Sequence, residues 1–390
     1  MISGMLLRVP ANSSKPMLQQ SERPAASTLL IIIAQSARFL IQSAARHGYR
    51  VRAADCFADS DSVQHCERFI RLEPITTVSP QQLHETIELL AEGQTAYLII
   101  GTGIEYLYPA LTDLPEHIHS TANSAEVCSQ VCQPMPWFTL LDSLQLPHPE
   151  VTYQPQSTGQ WLLKDAAGWG GSHISAEQSI SDKSHYLQRH VHGISYSALF
   201  VIDAQYQPRL LMFNRQICVD ADNGDFRLQT LYNHPELATH QQQAVMDAIM
   251  QIQQRLNLRG LNSLDFMVSD TGQLLLLELN PRPSASCQLL PETVDWLHWQ
   301  IAAPQNLPDI KMSYRLLYHF FAEQMLTIPH DLNWPADFCD LPAPGTIHAE
   351  GDPVCSLCIE APDTIQRFER LEQQCEFFRK KVALRLKNLT

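Results

Sequence analysis

The chain has 390 residues, 45% of them hydrophobic and 17% charged, with a formal net charge of -14. That length exceeds one ordinary core and predicts two or three domains, and the composition excludes a disordered chain. The acidic balance, with only 27 Lys and Arg spread along the chain, excludes a basic stripe for phosphates, so no nucleic-acid partner is expected.

No segment approaches the length of a membrane span, so no membrane partner is expected either. Residues 1–27 lack a coherent apolar signal segment and read as a flexible tail on a cytoplasmic protein. Ten cysteines in mostly apolar or helical contexts read as reduced thiols rather than a disulfide frame. The single CxxC, Cys355 to Cys358, has no second pair, and Cys128 with Cys132 is a helix-spaced couple; zinc and redox roles are the lesser readings.

Residues 28–34 predict a buried strand, 37–47 a helix closed by Gly48, and 51–54 a second strand, the opening of a doubly wound α/β layer. The turn after the first strand holds no glycine, so no dinucleotide fingerprint is present and NAD binding is not expected there. A helix over 81–92 and a strand over 96–100 lead into GTGIEY, residues 101–106. Such a turn lies where open α/β sheets bind ligands, and Glu105 reads either as a partner for a substrate amine or as a helix-capping acid. A boundary is expected at residues 115–120, a helix beginning near Pro136, and a hinge around residue 147.

Residues 160–164 predict a short strand ending on Lys164, the first Lys or Arg after Arg71. Gly168, Trp169, Gly170 and Gly171 follow. An ammonium before bare backbone N–H groups suits phosphate oxygens, although a glycine-rich hairpin turn reads equally well. Residues 197–203 and 209–213 predict paired strands. Arg215, in the polar triplet Asn214, Arg215, Gln216, reads as a second phosphate-directed cation or as a surface residue. Residues 236–256 predict an amphipathic helix.

Residues 260–286 predict a β-hairpin turning at Ser269 to Gly272. A four-residue loop sets Asp265 opposite Leu276 and Ser263 opposite Glu278, with Asp265, Glu278 and Asn280 on one face and the acids diagonal to each other. The leucines from Leu274 to Leu279 read as a strand buried on both faces, where carboxylates need a partner. Two carboxylates and an amide oxygen suit a hard divalent cation, magnesium first, completed by substrate phosphates. A polar sheet end neutralised by Arg259 or Arg282 is the plainer reading. Beyond Pro304 short strands and turns precede a helix over 364–389, whose stripe of Phe368, Leu371, Cys375 and Phe378 reads as core or a homodimer contact.

In order, Lys164 before its glycine loop, the segment LQRHVHG (187–193), and DF (265–266) followed by ELNPR (278–282) resemble the ATP-grasp superfamily. The resemblance implies a Rossmann-like N-terminal α/β domain over 28–117, an α+β ATP-grasp domain of two subdomains over 118–303, and a small C-terminal accessory domain over 304–390. It implies that ATP lies between the subdomains. Lys164, Gly168, Gly170, Gly171 and Arg215 would serve its phosphates, while Gln188, Arg189, Val191 and Ser195 would form its hinge and ribose contacts. Asp265, Glu278 and Asn280 would hold two magnesium ions, with manganese as their substitute. Many relatives carry Glu where Gln188 and Ser195 stand, and an upstream Lys has no counterpart in residues 120–140.

Within the superfamily the chain looks most like the branch of tyramine–glutamate ligases and pyrrolysine-type ligases. Its C-terminal segment resembles a domain associated with methanofuran-like and tetrahydromethanopterin-linked C1 metabolism. The implied activity is carboxylate–amine ligation through an acylphosphate, with Lys164 and Arg282 as catalytic residues and a small carboxylate and an amine as substrates. An ATP-binding module without ligase chemistry is the alternative; a bicarbonate-using carboxylase subunit with a biotin partner ranks behind both.

Overall fold

The computed structural model describes residues 27–156, 158–166, 168, 170–176 and 185–383. The expected N-terminal tail, Trp169 of the glycine loop and the end of the last helix lie outside the described residues.

The first layer is a parallel sheet. Strands β1 (Leu29–Ile33), β2 (Arg50–Asp55), β3 (Arg68–Arg71), β4 (Ala96–Ile100) and β5 (Ile118–Ser120) take the order β3-β2-β1-β4-β5. Each residue of β1 is buried, as the centre of a sheet covered on both faces requires. Helices α1 (Arg38–Arg46), α2 (Ser60–Val63) and α3 (Pro80–Ala91) connect its strands. Without glycine, the turn after β1 is held from the side: Asp55 accepts the Ala37 N–H at 3.0 Å. Ser79 and Gln82 form the capping box that starts α3.

Where one helix was expected near Pro136, there are two, α4 (Ala125–Cys132) and α5 (Pro134–Ser143). Pro134 lacks the N–H that would continue α4, yet it suits the first turn of α5. A four-stranded antiparallel sheet follows, built from β6 (Val151–Thr152), β7 (Trp161–Asp165), β8 (Ile174–Ser175) and β9 (His185–Arg189) in the order β6-β9-β7-β8.

The third sheet begins with β10 (Gly193–Ile202), β11 (Pro208–Asp220) and β12 (Asp225–Asn233). After α6 (Thr239–Leu256) come β13 (Leu261–Ser269) and β14 (Leu274–Asn280), then α7 (Trp296–Ile301) and β15 (Tyr314–Phe321). Strands β16 (Leu326–Thr327) and β18 (Ile347–His348) pair apart, while β17 (Phe338–Cys339) and β19 (Pro353–Ala361) complete the large sheet. Its order is β14-β13-β10-β11-β12-β15-β19-β17, so the chain beyond residue 304 extends the sheet that carries the acidic hairpin. Helix α8 (Thr364–Phe378) covers this end, with Cys375 and Phe378 in the core and Phe368 and Leu371 packed on it.

The hairpin register differs from the expected one. Val268 pairs with Leu274, and an irregularity between Asp265 and Phe266 leaves Leu277 as the extra residue, so Asp265 lies opposite Glu278 and Ser263 opposite Asn280. The ladder closes one step further, with Ser269 N–H bonding the Gln273 carbonyl so that residues 270–272 form the loop, and the bulge shifts the pairing by one more. The outcome is a tighter juxtaposition of the acids, directly across rather than diagonal. Strand β14 is also a sheet edge, not a strand buried on both faces: Glu278 is exposed.

Candidate nucleotide and metal cleft

A cleft of about 590 Å³ opens between the four-stranded and eight-stranded sheets, within the range of small-molecule sites. Lys164, Gly168, Gly170, Gly171, Gln188, Arg189, Val191, Ser195, Asp265, Glu278, Asn280 and Arg282 all line it. Of the described residues to which the resemblance gives a site role, Arg215 alone does not.

On one wall β7 and β9 place Lys164 and Gln188 side by side, and Lys164 Nζ donates to Gln188 Oε1 at 3.1 Å. Both are buried. Burial lowers the Lys164 pKa, while the carboxylates of Glu278 and Asp265 across the cleft pull it back up. The neutral Gln188 satisfies the ammonium without discharging it. Next to it the glycine loop rests on β12: Leu228 N–H bonds the Gly170 carbonyl at 3.0 Å. Gly171 has φ +81, and a Cβ there would stand 1.9 Å from the Phe226 carbonyl oxygen. Only glycine gives this approach.

The hinge continues the same wall. Arg189 lies 4.2 Å over the Trp161 ring and donates to Glu150 Oε2 at 3.1 Å. The rings of His190 and His192 stand 4.5 Å apart on either side of Val191, and Ser195 sits beside Gln216 and Met267 in the sheet register.

The facing wall carries the acids. Asp265 is half-buried in the cleft wall, and burial followed by the charge of Glu278 pushes its carboxyl well above the usual range, against the pull of a hydrogen bond from Gln216. That bond, Gln216 Nε2 to Asp265 Oδ2, is 3.1 Å. Asn280 Nδ2 donates to Glu278 Oε1 at 3.3 Å, and Asn280 Oδ1 accepts from Arg282 Nη2 at 2.9 Å.

Arg282 is gripped from the other side by the parallel layer. Its Nη2 and Nε lie 2.6 and 2.7 Å from Glu105 Oε1, while Glu105 Oε2 accepts the Gly103 N–H at 2.7 Å. Burial alone would lower the Arg282 pKa; the Glu105 carboxylate more than offsets this and holds it above its ordinary value. Glu105 is thus committed to Arg282 and to its own turn.

Within the triplet Asn214, Arg215, Gln216 it is Gln216, not Arg215, that lines the cleft. Arg215 points to the face opposite the cleft, where its register neighbours are Tyr196 and Tyr232, and strand alternation therefore turns Gln216 inward. Period-two alternation would have identified Gln216 from the sequence. The Glu105–Arg282 pair spans 177 residues, and nothing local in the sequence announces it.

A lysine and a glycine loop on one antiparallel wall thus face a carboxylate pair on another, behind a parallel α/β layer. Residues 137–286 match the family model of the ATP-grasp domain, and the chain contains that domain. Pyruvate carboxylase of Rhizobium etli is similar at TM-score 0.69 and 15% identity, over 89% of this chain and 37% of that one. The biotin carboxylase domain of Hydrogenobacter thermophilus 2-oxoglutarate carboxylase, in complex with MgADP and bicarbonate, is similar at 0.68 and 12%, over 88% of each chain. N5-carboxyaminoimidazole synthetase of Staphylococcus aureus, complexed with ADP, is similar at 0.64 and 13%, over 89% of this chain and 96% of that one. These likenesses establish the fold, an N-terminal parallel-sheet domain followed by antiparallel ATP-grasp sheets. This chain spans about a third of the pyruvate carboxylase. No curated protein sequence matches it.

Proposed function

We propose that this protein is an ATP-dependent carboxylate–amine ligase working through an acylphosphate. The observation that carries the reading is the opposition of Lys164 and Gln188 to Asp265, Glu278 and Asn280 across one cleft, with Arg282 beside the acids. ATP fits between the walls, its phosphates under the glycine loop and against Lys164, its base toward Arg189 to His192.

The donor set fits magnesium. Asp265 has a neutral partner in Gln216 and an opposed charge in Glu278, an arrangement that a hard divalent cation relieves. Asp265, Glu278 and the Asn280 amide oxygen would hold it; bound there, it supplies charge neutralisation at the transferring phosphoryl group. Manganese would substitute, and the number of ions is open to titration.

Lys164 then neutralises charge on the phosphate oxygens while the acid attacks in line. Arg282, kept charged by Glu105, orients the carboxylate and stabilises the oxyanion formed when the amine displaces phosphate. The glycine loop, seated on β12, excludes water that would hydrolyse the acylphosphate. No nucleophilic side chain is required, because positioning and electrostatics carry phosphoryl transfer.

The lining also bears on the acceptor. Its described Lys and Arg residues are Lys164, Arg189 and Arg282; Arg189 is paired with Glu150 and Arg282 with Glu105. The lining also includes the small hydroxyls of Thr102, Ser263, Ser284 and Ser286, which suit a small neutral or cationic amine without a phosphate. Glutamate with tyramine-like amines, and substrates of methanofuran-like or tetrahydromethanopterin-linked C1 metabolism, head the panel.

A second reading, bicarbonate as the acid, is favoured by the likeness to the Hydrogenobacter thermophilus biotin carboxylase domain, which was solved with bicarbonate and 88% of which is covered. The test is ADP release that requires both an acid and an amine and is lost in Glu278→Ala. Amine-dependent turnover that persists in Glu278→Ala overturns the site assignment. Carbon-13 bicarbonate incorporated into the product selects the second reading, and MgATP stabilisation without turnover on any panel member selects a binding module.

A further inference from the structure

We propose that Cys339 and Cys358 form an oxidisable dithiol, a disulfide modification site coupled through Gln288 to the substrate end of the cleft. In the antiparallel pairing of β17 with β19, Cys339 lies opposite Ser356, so Cys358 sits one diagonal step away. Their sulfurs stand 3.2 Å apart, and both are free thiols. Closure to a bond of about 2.05 Å requires a movement of roughly one ångström, less than a side-chain rotamer change.

This pairing replaces the one the sequence suggested. Cys355 and Cys358 form a CxxC, but three strand positions turn them to opposite faces: Cys355 packs in the core under α8, and Cys358 against the core that includes α1 and Leu289. The working pair is therefore nineteen residues apart.

The surroundings separate the two sulfurs. Cys358 is partly exposed, and Cys339 is buried. Arg38, itself buried, lies beside both, its Nε on Asp340 Oδ1 at 2.7 Å and its Nη2 on Gln288 Oε1. A cationic neighbour favours thiolate, and the hydrogen bond from Cys339 draws the Cys358 pKa down, whereas burial pushes Cys339 up. Cys358 is the attacking sulfur and Cys339 the resolving one.

The oxidant is a low-molecular-weight disulfide. The Cys358 thiolate attacks one of its sulfurs, the small S–S bond breaks and one small thiolate leaves. Cys339, losing its proton to solvent, then attacks the Cys358 sulfur and expels the second small thiol. One protein dithiol and one small disulfide become one protein disulfide and two small thiols.

Oxidation removes a donor from Gln288. In the reduced state Cys358 Sγ donates to Gln288 Oε1 at 3.5 Å. Gln288 belongs to the 3-10 helix Ala285–Leu289, which follows Ser284 directly, and Ser284, Ala285 and Ser286 line the cleft. The same amide oxygen accepts from Arg38. The disulfide thus acts at one end of the short segment whose other end bears on the cleft beside Arg282. That coupling rests on the proposed nucleotide site; the disulfide itself does not.

The full chain is incubated with oxidised glutathione, alkylated under denaturing conditions and digested. The expected result is a Cys339–Cys358 cross-linked peptide and two fewer alkylated cysteines, reversed by dithiothreitol. Cys339→Ser should instead accumulate glutathione on Cys358, with circular dichroism confirming its fold, and Cys339→Ala gives a second form if serine unfolds the sheet. Failure of the cross-link in the folded wild-type chain, or a cross-link between Cys355 and Cys358, overturns the site. The second readout is MgADP affinity, expected to change by about fivefold on oxidation, the low end of ordinary coupling, and to stay constant in oxidant-treated Cys339→Ser. A cross-link with unchanged affinity overturns the coupling. No MgADP binding in either redox state instead counts against the nucleotide reading, leaving the disulfide to stand on the peptide map.

Discussion

Replacing Glu105 by Gln keeps the size of the side chain and removes the charge that holds Arg282. The side chains of Arg282 and Glu105 are 7% and 16% exposed, so the guanidinium is left inside the fold with its carboxylate gone. Removing one partner of a buried pair costs about 3–5 kcal/mol. The amide oxygen of the new glutamine still accepts from the guanidinium, a charge-assisted contact of about 1.5–3 kcal/mol, which offsets part of that loss. The net expectation is a destabilisation of about 2 kcal/mol, read as a lower midpoint in urea at unchanged slope. Adding Arg282→Met removes the stranded charge, so the double variant should be more stable than Glu105→Gln alone, the sign expected of a buried pair. Turnover should fall in both variants, because Arg282 is either displaced or absent. A Glu105→Gln midpoint within about 0.5 kcal/mol of wild type, or strictly additive single and double variants, would refute the claim that this pair locks the parallel layer to the site.

Three further expectations follow from particular contacts. Gly171→Ala places a Cβ 1.9 Å from the Phe226 carbonyl at φ +81; strain of about 1–3 kcal/mol should unseat the loop and weaken MgADP tenfold or more by calorimetry. Gly170→Ala, with open space around its Cβ, should cost less. Arg215→Ala should leave MgADP affinity unchanged and Gln216→Leu should reduce it, since only Gln216 reaches Asp265; the opposite ranking would restore Arg215 to the cleft. Burial, and then the charges of Asp340, Asp55 and Asp61, raise the Asp59 pKa to about 8. A raised folded-state pKa contributes stability below the ordinary carboxylate value and loses it as pH rises through about 8. Asp59→Asn should therefore flatten the fall in Tm between pH 4 and 9, and a wild-type Tm that climbs over that range would contradict the assignment.

The sequence resolves what is local. β1 is legible because its five consecutive apolar residues have no solvated alternative, and Lys164 because no other Lys or Arg precedes it back to Arg71. The acidic face of the hairpin is legible from alternation alone, although the register is not. A bulge at Leu277 leaves no mark in a run of leucines, since each is equally suited to either face. Three further features lie beyond periodicity: the docking of Gly170 on β12, the reach of Glu105 to Arg282, and the addition of β15, β19 and β17 to the large sheet. Each is a contact between distant segments, fixed by how layers stack. Alternation also turns Gln216 inward and sets Cys355 and Cys358 on opposite faces.

The division between legible and illegible residues follows the division of labour in the cleft. The side chains proposed for phosphate and metal contacts lie on strands β7, β9, β13 and β14, so they recur at strand spacing and can be found by pattern. The substrate end is built differently. Residues 282–289 leave the edge strand and are held by the parallel layer at both ends, Arg282 by Glu105 and Gln288 by Arg38. Arg38 is fixed in turn to Asp340 at the far end of the large sheet. The position of Ser284 and Ser286 is therefore set by the packing of α1 and the turn after β4, not by the hairpin that precedes them. A change in how the parallel layer seats on the large sheet would move the surface proposed to bind the acid and the amine while leaving Lys164, Asp265 and Glu278 in place. This is the physical reason the proposed nucleotide contacts follow strand pattern in the chain while the substrates must be found by assay.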